Sequence, residues 1–202
     1  NHVVPKLSRN LSTQVDTINK LLSCGLPDGQ PFAVLHPFGS TTAQWWNVSN
    51  APSVADHLSR KHGLKLVVVG KKYSLNGMNV NPEFVSKSPN IINTIDKLSL
   101  RELIDVIALA EIVITTDSGP FHVAGALQKP IVGLFRTRRP EHAHAYPASV
   151  ATFGDNDLCK TSCEWDTCDS MPCRQMENIS IDGVLDCITR LLNEGFSNNS
   201  DV

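Results

Sequence analysis

The sequence predicts an α/β domain in which helices cover both faces of a parallel β-sheet. Short apolar runs, typical of buried strands, alternate along the chain with longer segments whose apolar residues recur at helical spacing. Strands that alternate with helices form parallel sheets with right-handed crossovers. The 202 residues, 41% of them hydrophobic, are enough for one domain with a substantial core.

The first half of the chain contains two predicted helices and three predicted strands. The first helix covers residues 11–22 and ends before Gly25. Its predicted buried face consists of Leu11, Val15, Ile18 and Leu22. The elements that follow are a strand at 32–35, a helix at 52–61, a strand at 64–69 and a short strand within 90–95.

The second half continues the same alternation. Ser99 and Glu102 have the spacing of a capping box, which predicts a helix that begins at Leu100. After it come a strand at 112–115, a helix that begins near 119, a strand at 130–135 and a helix at 181–192. Residues 196–202 are predicted to be a flexible tail.

Charge and hydropathy exclude some classes of function. The net charge of −2 argues against general binding of nucleic acid. No apolar run approaches the roughly 20 residues that a transmembrane helix requires, so no transmembrane segment is predicted. The first residue is not Met and no signal peptide is evident, which suggests a processed or truncated chain.

The most informative segment is the predicted turn from strand to helix near residue 118. Asp117, Ser118, Gly119 and Pro120 follow a buried strand and open a helix. Backbone N–H groups at a helix start have no intrahelical acceptor, and together with the helix dipole they attract anions. Glycine lets a ligand approach closely, and proline suits the first helical turn. The turn is therefore predicted to hold a phosphate; the alternative is a structural helix start capped by Asp117 or Ser118.

A second polar loop follows the first strand. It carries the hydroxyls of Ser40, Thr41 and Thr42, which can donate hydrogen bonds to phosphate oxygens. Ligands in open α/β sheets bind beyond the carboxyl ends of the strands, so both loops are expected at one site. The alternative is that these hydroxyls are only solvated.

The sequence Asp-Ser-Gly-Pro-x-His-x-Ala-x-Ala-Leu from Asp117 onward resembles the donor-site motif of the heptosyltransferases, glycosyltransferase family nine. The resemblance implies the C-terminal half of a GT-B enzyme, a Rossmann-like three-layer domain that binds an ADP-sugar. It divides the chain into a linker and first helix (1–30), a donor-binding domain (31–195) and the tail. The acceptor of the heptose that the resemblance implies is lipopolysaccharide core or another glycan or protein.

In this family the N-terminal half binds the acceptor and supplies the catalytic base. The resemblance therefore implies that this half is missing here, and no residue of this chain is predicted as the base. Catalysis is expected to need no cofactor, because helix ends and side chains stabilise the departing diphosphate. The implied location is cytoplasmic, either free or peripheral at the inner membrane.

The resemblance also assigns donor-binding residues outside the turn. Gln44 falls where the family usually has Lys, and it offers a neutral donor in place of a full charge. Leu98 falls where an apolar residue contacts adenine, with core packing as the alternative. His122 lies within the motif, and Arg136 opens a basic loop that borders the cleft between the domains. Lys71, Lys72 or Arg136 is a candidate to compensate for the charge that Gln44 lacks.

Clustered cysteines form a second signal. Cys159, Cys163, Cys168 and Cys173 follow the pattern C-x3-C-x4-C-x4-C. Four thiols in a chain without a secretory signal favour a structural zinc or iron over a disulfide framework, but the close C-x2-C pairs of zinc ribbons are absent. Reduced thiols or one or two disulfides remain as alternatives. Some protein-modifying heptosyltransferases are similar in carrying a cysteine-bound iron.

Two other functions fit parts of the sequence. Gln44 and the missing half also fit a non-catalytic module that binds nucleotide-sugars. A nicotinamide-dependent oxidoreductase fits less well, because no G-x-G-x-x-G follows the first strand.

Overall fold

The computed structural model describes residues 11–39, 41–75, 78–80, 84–136, 146, 149–154 and 173–193. Its helices are α1 (Leu11–Ser23), α2 (Ala51–His62), α3 (Leu100–Leu109), α4 (Gly119–Ala126), α5 (Arg174–Glu177) and α6 (Ile181–Asn193). Its strands are β1 (Phe32–His36), β2 (Lys65–Val68), β3 (Tyr73–Leu75), β4 (Met78–Val80), β5 (Ile91–Asn93), β6 (Val113–Thr116), β7 (Ile131–Phe135) and β8 (Ser149–Phe153).

Within this described part of the chain, six strands form one parallel sheet in the order β5-β2-β1-β6-β7-β8. The chain moves outward from β1 to β2 and β5, and then crosses back to β6 on the other side of β1. The strand order therefore reverses between β1 and β6. Open α/β sheets bind ligands in the crevice at such a reversal, beyond the carboxyl ends of the strands.

The sheet lies between two layers of helices, which confirms the predicted fold class. Successive side chains of a strand point to opposite faces. In β1, Ala33 and Leu35 join the core beneath α2 and α6, whereas Phe32 and Val34 join the core beneath α1, α3 and α4. Strands buried on both faces explain why the predicted strands are continuous apolar runs.

The predicted start of α3 is confirmed. The Ser99 hydroxyl accepts a hydrogen bond from the Glu102 N–H, and the Glu102 carboxylate accepts one from the Ser99 N–H. Glu102 also pairs with Lys20 of α1 at 2.6 Å. The bond from Lys20 and the N–H of Ser99 lower the pKa of Glu102 to about 2. This capping box therefore also joins α3 to α1.

The predicted buried face of α1 is wrong. Val15 and Ile18 are 58% and 38% exposed, whereas Thr17 and Leu21 are fully buried. Thr17 can be buried because its hydroxyl donates to the carbonyl of Thr13, with the Asp105 carboxylate 3.4 Å away on α3. The face of α1 that packs against α3 is therefore not its most apolar face.

Three elements of the structure are not predicted from the sequence. They are the antiparallel hairpin formed by β3 and β4, the edge strand β8 and the single-turn helix α5. The predicted tail lies outside the described residues. No helix in the described ranges has both the length and the apolar character to cross a bilayer.

Candidate donor site

The turn between β6 and α4 has the predicted form. Ser118 is the N-cap residue, with an extended backbone, and Gly119 and Pro120 open the helix. The Ser118 side chain does not cap the helix. Its hydroxyl donates to the carbonyl of Thr116 at 3.1 Å and lies 3.2 Å from Nδ1 of His36. Pro120 has no N–H, and the N–H of Phe121 donates to the Ser118 carbonyl at 3.0 Å. The N–H groups of Ser118 and Gly119 are therefore those that the start of α4 offers to an anion.

Neither the backbone conformation nor the described packing requires glycine at Gly119. Its φ is not among the positive values found at Gly25, Gly29 and Gly63. Among the residues that the structure describes, no atom lies within 4 Å of a Cβ built on Gly119. The open space in front of the helix start is what close approach of a ligand requires.

A cavity of about 260 Å³ lies beside this turn. Val69, Leu98 and Leu103 supply apolar lining, Pro120 of α4 borders it, and His36 and Lys71 add polar atoms. An apolar pocket with a few polar groups is typical of ligand sites in proteins. The pocket and the start of α4 are adjacent, as a nucleoside and its phosphates would require.

His36 is a site residue that the sequence analysis does not single out. It ends β1, and burial lowers the pKa of its imidazole to about 4. The side chain is therefore neutral at physiological pH, beside the Ser118 hydroxyl. The sequence feature that could have identified His36 is its position directly after a predicted strand, at the edge of the sheet where ligands bind.

Gln44 joins the two polar loops. It is buried, 5% exposed, in the short 3₁₀ turn Thr42–Gln44. Its amide nitrogen donates to the carbonyl of Asp117 at 3.2 Å, and its amide oxygen lies 3.4 Å from the N–H of Thr41. A Cβ on Gly39 would come within 2.4 Å of the Gln44 side chain, so this packing requires glycine there. The amide thus holds the loop after β1 against the turn before α4.

The structure describes the three predicted hydroxyl residues of the loop after β1 to different extents. The Thr41 hydroxyl is buried and has no hydrogen-bond partner among the residues that the structure describes. Ser40 lies outside the described residues, and Thr42 is placed only by its backbone in the 3₁₀ turn. Trp46, two residues after Gln44, is buried in the core. A buried hydroxyl without a partner is costly unless a ligand satisfies it.

Lys71 lies at the rim of the cavity and pairs with Asp96 at 3.0 Å. Asp96 has a left-handed backbone, φ 61°, and its carboxylate also lies 3.4 Å from the N–H of Lys72. The hydrogen bond from Lys71, followed by that from the Lys72 N–H, lowers the pKa of Asp96. Sequence analysis missed Asp96, because only the fold brings it next to the lysines.

The remaining predicted residues lie around the same edge of the sheet. Arg136 is buried where β7 ends, and the basic loop after it lies outside the described residues. Asp117 is half-buried and contributes its carbonyl to the bond with Gln44. His122 is exposed on α4, with Nδ1 3.0 Å from the hydroxyl of Tyr146.

The cysteine cluster is described only at its last member. Cys173 is buried in the core beside Met176, with its thiol unpaired by a disulfide. Cys159, Cys163 and Cys168 lie outside the described residues. Across the described ranges, no three His, Cys, Asp or Glu side chains come together as a metal site. The predicted zinc or iron therefore stays a prediction.

Residues 5–172 match the family model described as Glycosyltransferase family 9 (heptosyltransferase). A lipooligosaccharide heptosyltransferase 2 of Campylobacter jejuni is 24% identical over 169 residues, which are 82% of this chain and 53% of that relative. A Haemophilus influenzae protein of the same name is 35% identical over 51 residues, 25% of this chain and 15% of its own. The chain thus spans about half the length of the Campylobacter relative.

Solved structures show the same fold. ADP-heptose lps heptosyltransferase II of E. coli has a TM-score of 0.68 at 17% identity, over 94% of this chain and 54% of that one. A family 9 glycosyl transferase of Veillonella parvula has a TM-score of 0.66 at 22% identity, with the same coverage of 94% and 54%. The iron-containing heptosyltransferase TibC in complex with ADP-D-beta-D-heptose has a TM-score of 0.58 at 20% identity, over 86% and 48%.

Proposed function

This chain belongs to glycosyltransferase family 9, and we propose on that basis that it binds the nucleotide-sugar donor of a heptosyltransferase. The donor is an ADP-heptose, and the acceptor is lipopolysaccharide core or another glycan or protein. Donor binding is assigned to residues 31–195, with 1–30 as linker. The names of the relatives support heptose as the sugar that is transferred. The position of the site supports a role in binding the donor.

One observation carries this proposal. The uncapped start of α4, with open space in front of Gly119, adjoins an apolar cavity at the reversal of strand order. The diphosphate would lie against Ser118 and Gly119, and the adenosine would lie in the cavity against Leu98. In the loop after β1, the amide of Gln44 donates to the Asp117 carbonyl of the same turn, and the buried Thr41 hydroxyl has no partner among the described residues.

The chemistry of such a site is stabilisation of a leaving group. In a direct displacement, the acceptor oxygen forms a bond to the anomeric carbon as the bond to the diphosphate breaks, and the acceptor proton passes to a base. The helix dipole and the N–H groups at the start of α4 would stabilise the charge that develops on the departing ADP. Acceptor and base would come from the remainder of a longer protein, acting at the cytoplasmic side of the inner membrane.

Calorimetric titration of this chain with ADP, UDP and GDP tests donor binding. We expect ADP to bind with a stoichiometry of one and more tightly than UDP or GDP, because the cavity is apolar where the base would lie. Equal affinity for the three would remove the assignment of adenine to the cavity. The absence of binding to all three would contradict donor binding by this domain.

A further inference from the structure

His122 lies one helical turn into α4. Helical side chains three residues apart share a face, so His122 lies on the same face of α4 as Gly119, the first residue of the helix. The imidazole is exposed, and the structure gives its Nδ1 one polar neighbour, the Tyr146 hydroxyl at 3.0 Å. The face of α4 that carries the proposed phosphate site thus also carries an imidazole held at one nitrogen.

Tyr146 is itself fixed from several directions. Its N–H donates to the hydroxyl of Ser149 at 3.1 Å, and its carbonyl accepts from that hydroxyl at 2.7 Å and from the Ser149 N–H at 3.0 Å. Its ring centroid is 5.5 Å from that of Phe121. A Cβ on Gly125 would come within 2.4 Å of the ring, so the ring lies directly on the helix backbone. The direction of the hydroxyl is therefore determined by packing.

A phenol that donates to Nδ1 determines the tautomer of a neutral histidine. The ring proton is then carried by Nε2, on the opposite edge of the imidazole from Tyr146. A second group that orients a functional imidazole in this way recurs in metal sites and in catalytic triads. Without the phenol, both tautomers and several ring orientations are open to an exposed histidine.

We propose that Tyr146 is a positioning residue, whose hydroxyl donates to Nδ1 of His122 and thereby holds the imidazole as an Nε2–H donor to the diphosphate of the nucleotide-sugar. This inference rests on the proposed function. Tyr146 would not contact the ligand itself. Its hydroxyl would act through the imidazole, and its ring would hold the aromatic cluster against α4. The two roles are separable, because phenylalanine keeps the ring and removes only the hydroxyl.

A thermodynamic cycle on ADP binding tests the proposal, with Tyr146→Phe, His122→Ala and the double variant measured by calorimetry. We expect Tyr146→Phe to weaken ADP binding by about three- to tenfold, the range of one hydrogen bond. We expect His122→Ala to weaken it at least as much. The double variant should bind as His122→Ala does, because the hydroxyl has no effect without the imidazole.

Two further measurements separate positioning from a purely structural role. If Tyr146 positions His122, Tyr146→Phe should leave the unfolding midpoint unchanged, and ¹⁵N spectra of the histidine ring should change from one dominant tautomer to a mixture. Wild-type affinity in Tyr146→Phe, or additive losses in the double variant, would overturn the inference and leave donor binding intact. If the unmodified chain bound no nucleoside diphosphate, the proposed function would fail first, and the positioning role with it.

Discussion

Replacing Gly119 with valine is expected to abolish ADP binding while the domain stays folded. The valine side chain would fill the space in front of α4 and keep the diphosphate from the N–H groups of the first turn. The loss of two hydrogen bonds to a charged group, each worth about 1.5–3 kcal/mol, lowers affinity by more than about 100-fold. Calorimetry with ADP measures the affinity, and urea unfolding measures the stability.

Gly63 provides the matched control. It ends α2 with a left-handed backbone, φ 67°, and a Cβ there would also meet no atom within 4 Å. Valine at this position is strained by about 1–2 kcal/mol, because its backbone disfavours this conformation. We expect Gly63→Val to lower the free energy of unfolding and to keep ADP affinity. Near-native ADP affinity in Gly119→Val would show that the helix start is not the phosphate site.

The free energy of unfolding is expected to fall as the pH drops from about 6.5 to about 4, because of His36. Burial lowers the pKa of His36 to about 4 in the folded state, against 6.5 when unfolded. Between these values the unfolded chain binds a proton that the folded chain does not, so stability increases with pH. The stability that neutral His36 preserves is fully present above pH 6.5. About 3 kcal/mol of the free energy of unfolding is lost once the pH has fallen below about 4.

Urea unfolding at several pH values, compared between the wild type and His36→Asn, isolates this effect. Asparagine keeps a short polar group near the Ser118 hydroxyl and does not titrate. Burial also lowers the pKa of His57 and His62, so both act in the same direction, and they are present in both proteins. We expect the difference in stability between the two proteins to change across this pH range. A constant difference would mean that His36 has the same pKa in the folded and the unfolded chain, and it would contradict the shift.

The segments that the sequence predicts best are those whose structure depends on adjacent residues. The strand–turn–helix at Ser118 and the capping box of Ser99 and Glu102 are confirmed because their signals lie within a few residues. The buried strands are also confirmed, since burial on both faces leaves a continuous apolar run in the sequence.

The features that the sequence missed depend on contacts between distant residues. The buried face of α1 is chosen by α3, which accepts Thr17 and leaves Val15 in solvent. The amide of Gln44 reaches Asp117, 73 positions along the chain, and His36 reaches Ser118 across 82 positions. No local pattern contains such pairs. The sequence therefore predicts which loops form the candidate site, but not the hydrogen bonds that join them.

The proposed place for the ADP part of the donor is the carboxyl edge of the sheet, at the start of α4. A larger groove, of about 610 Å³, lies between α2 and α6 and is lined by Asp56, His57 and Asp182. Amide chemical-shift mapping during an ADP titration distinguishes the two places. We expect saturating ADP to shift the amides of Gly70, Leu98 and Gly119 and to leave those of the groove unchanged. Shifts confined to the groove, or none at the start of α4, would contradict it.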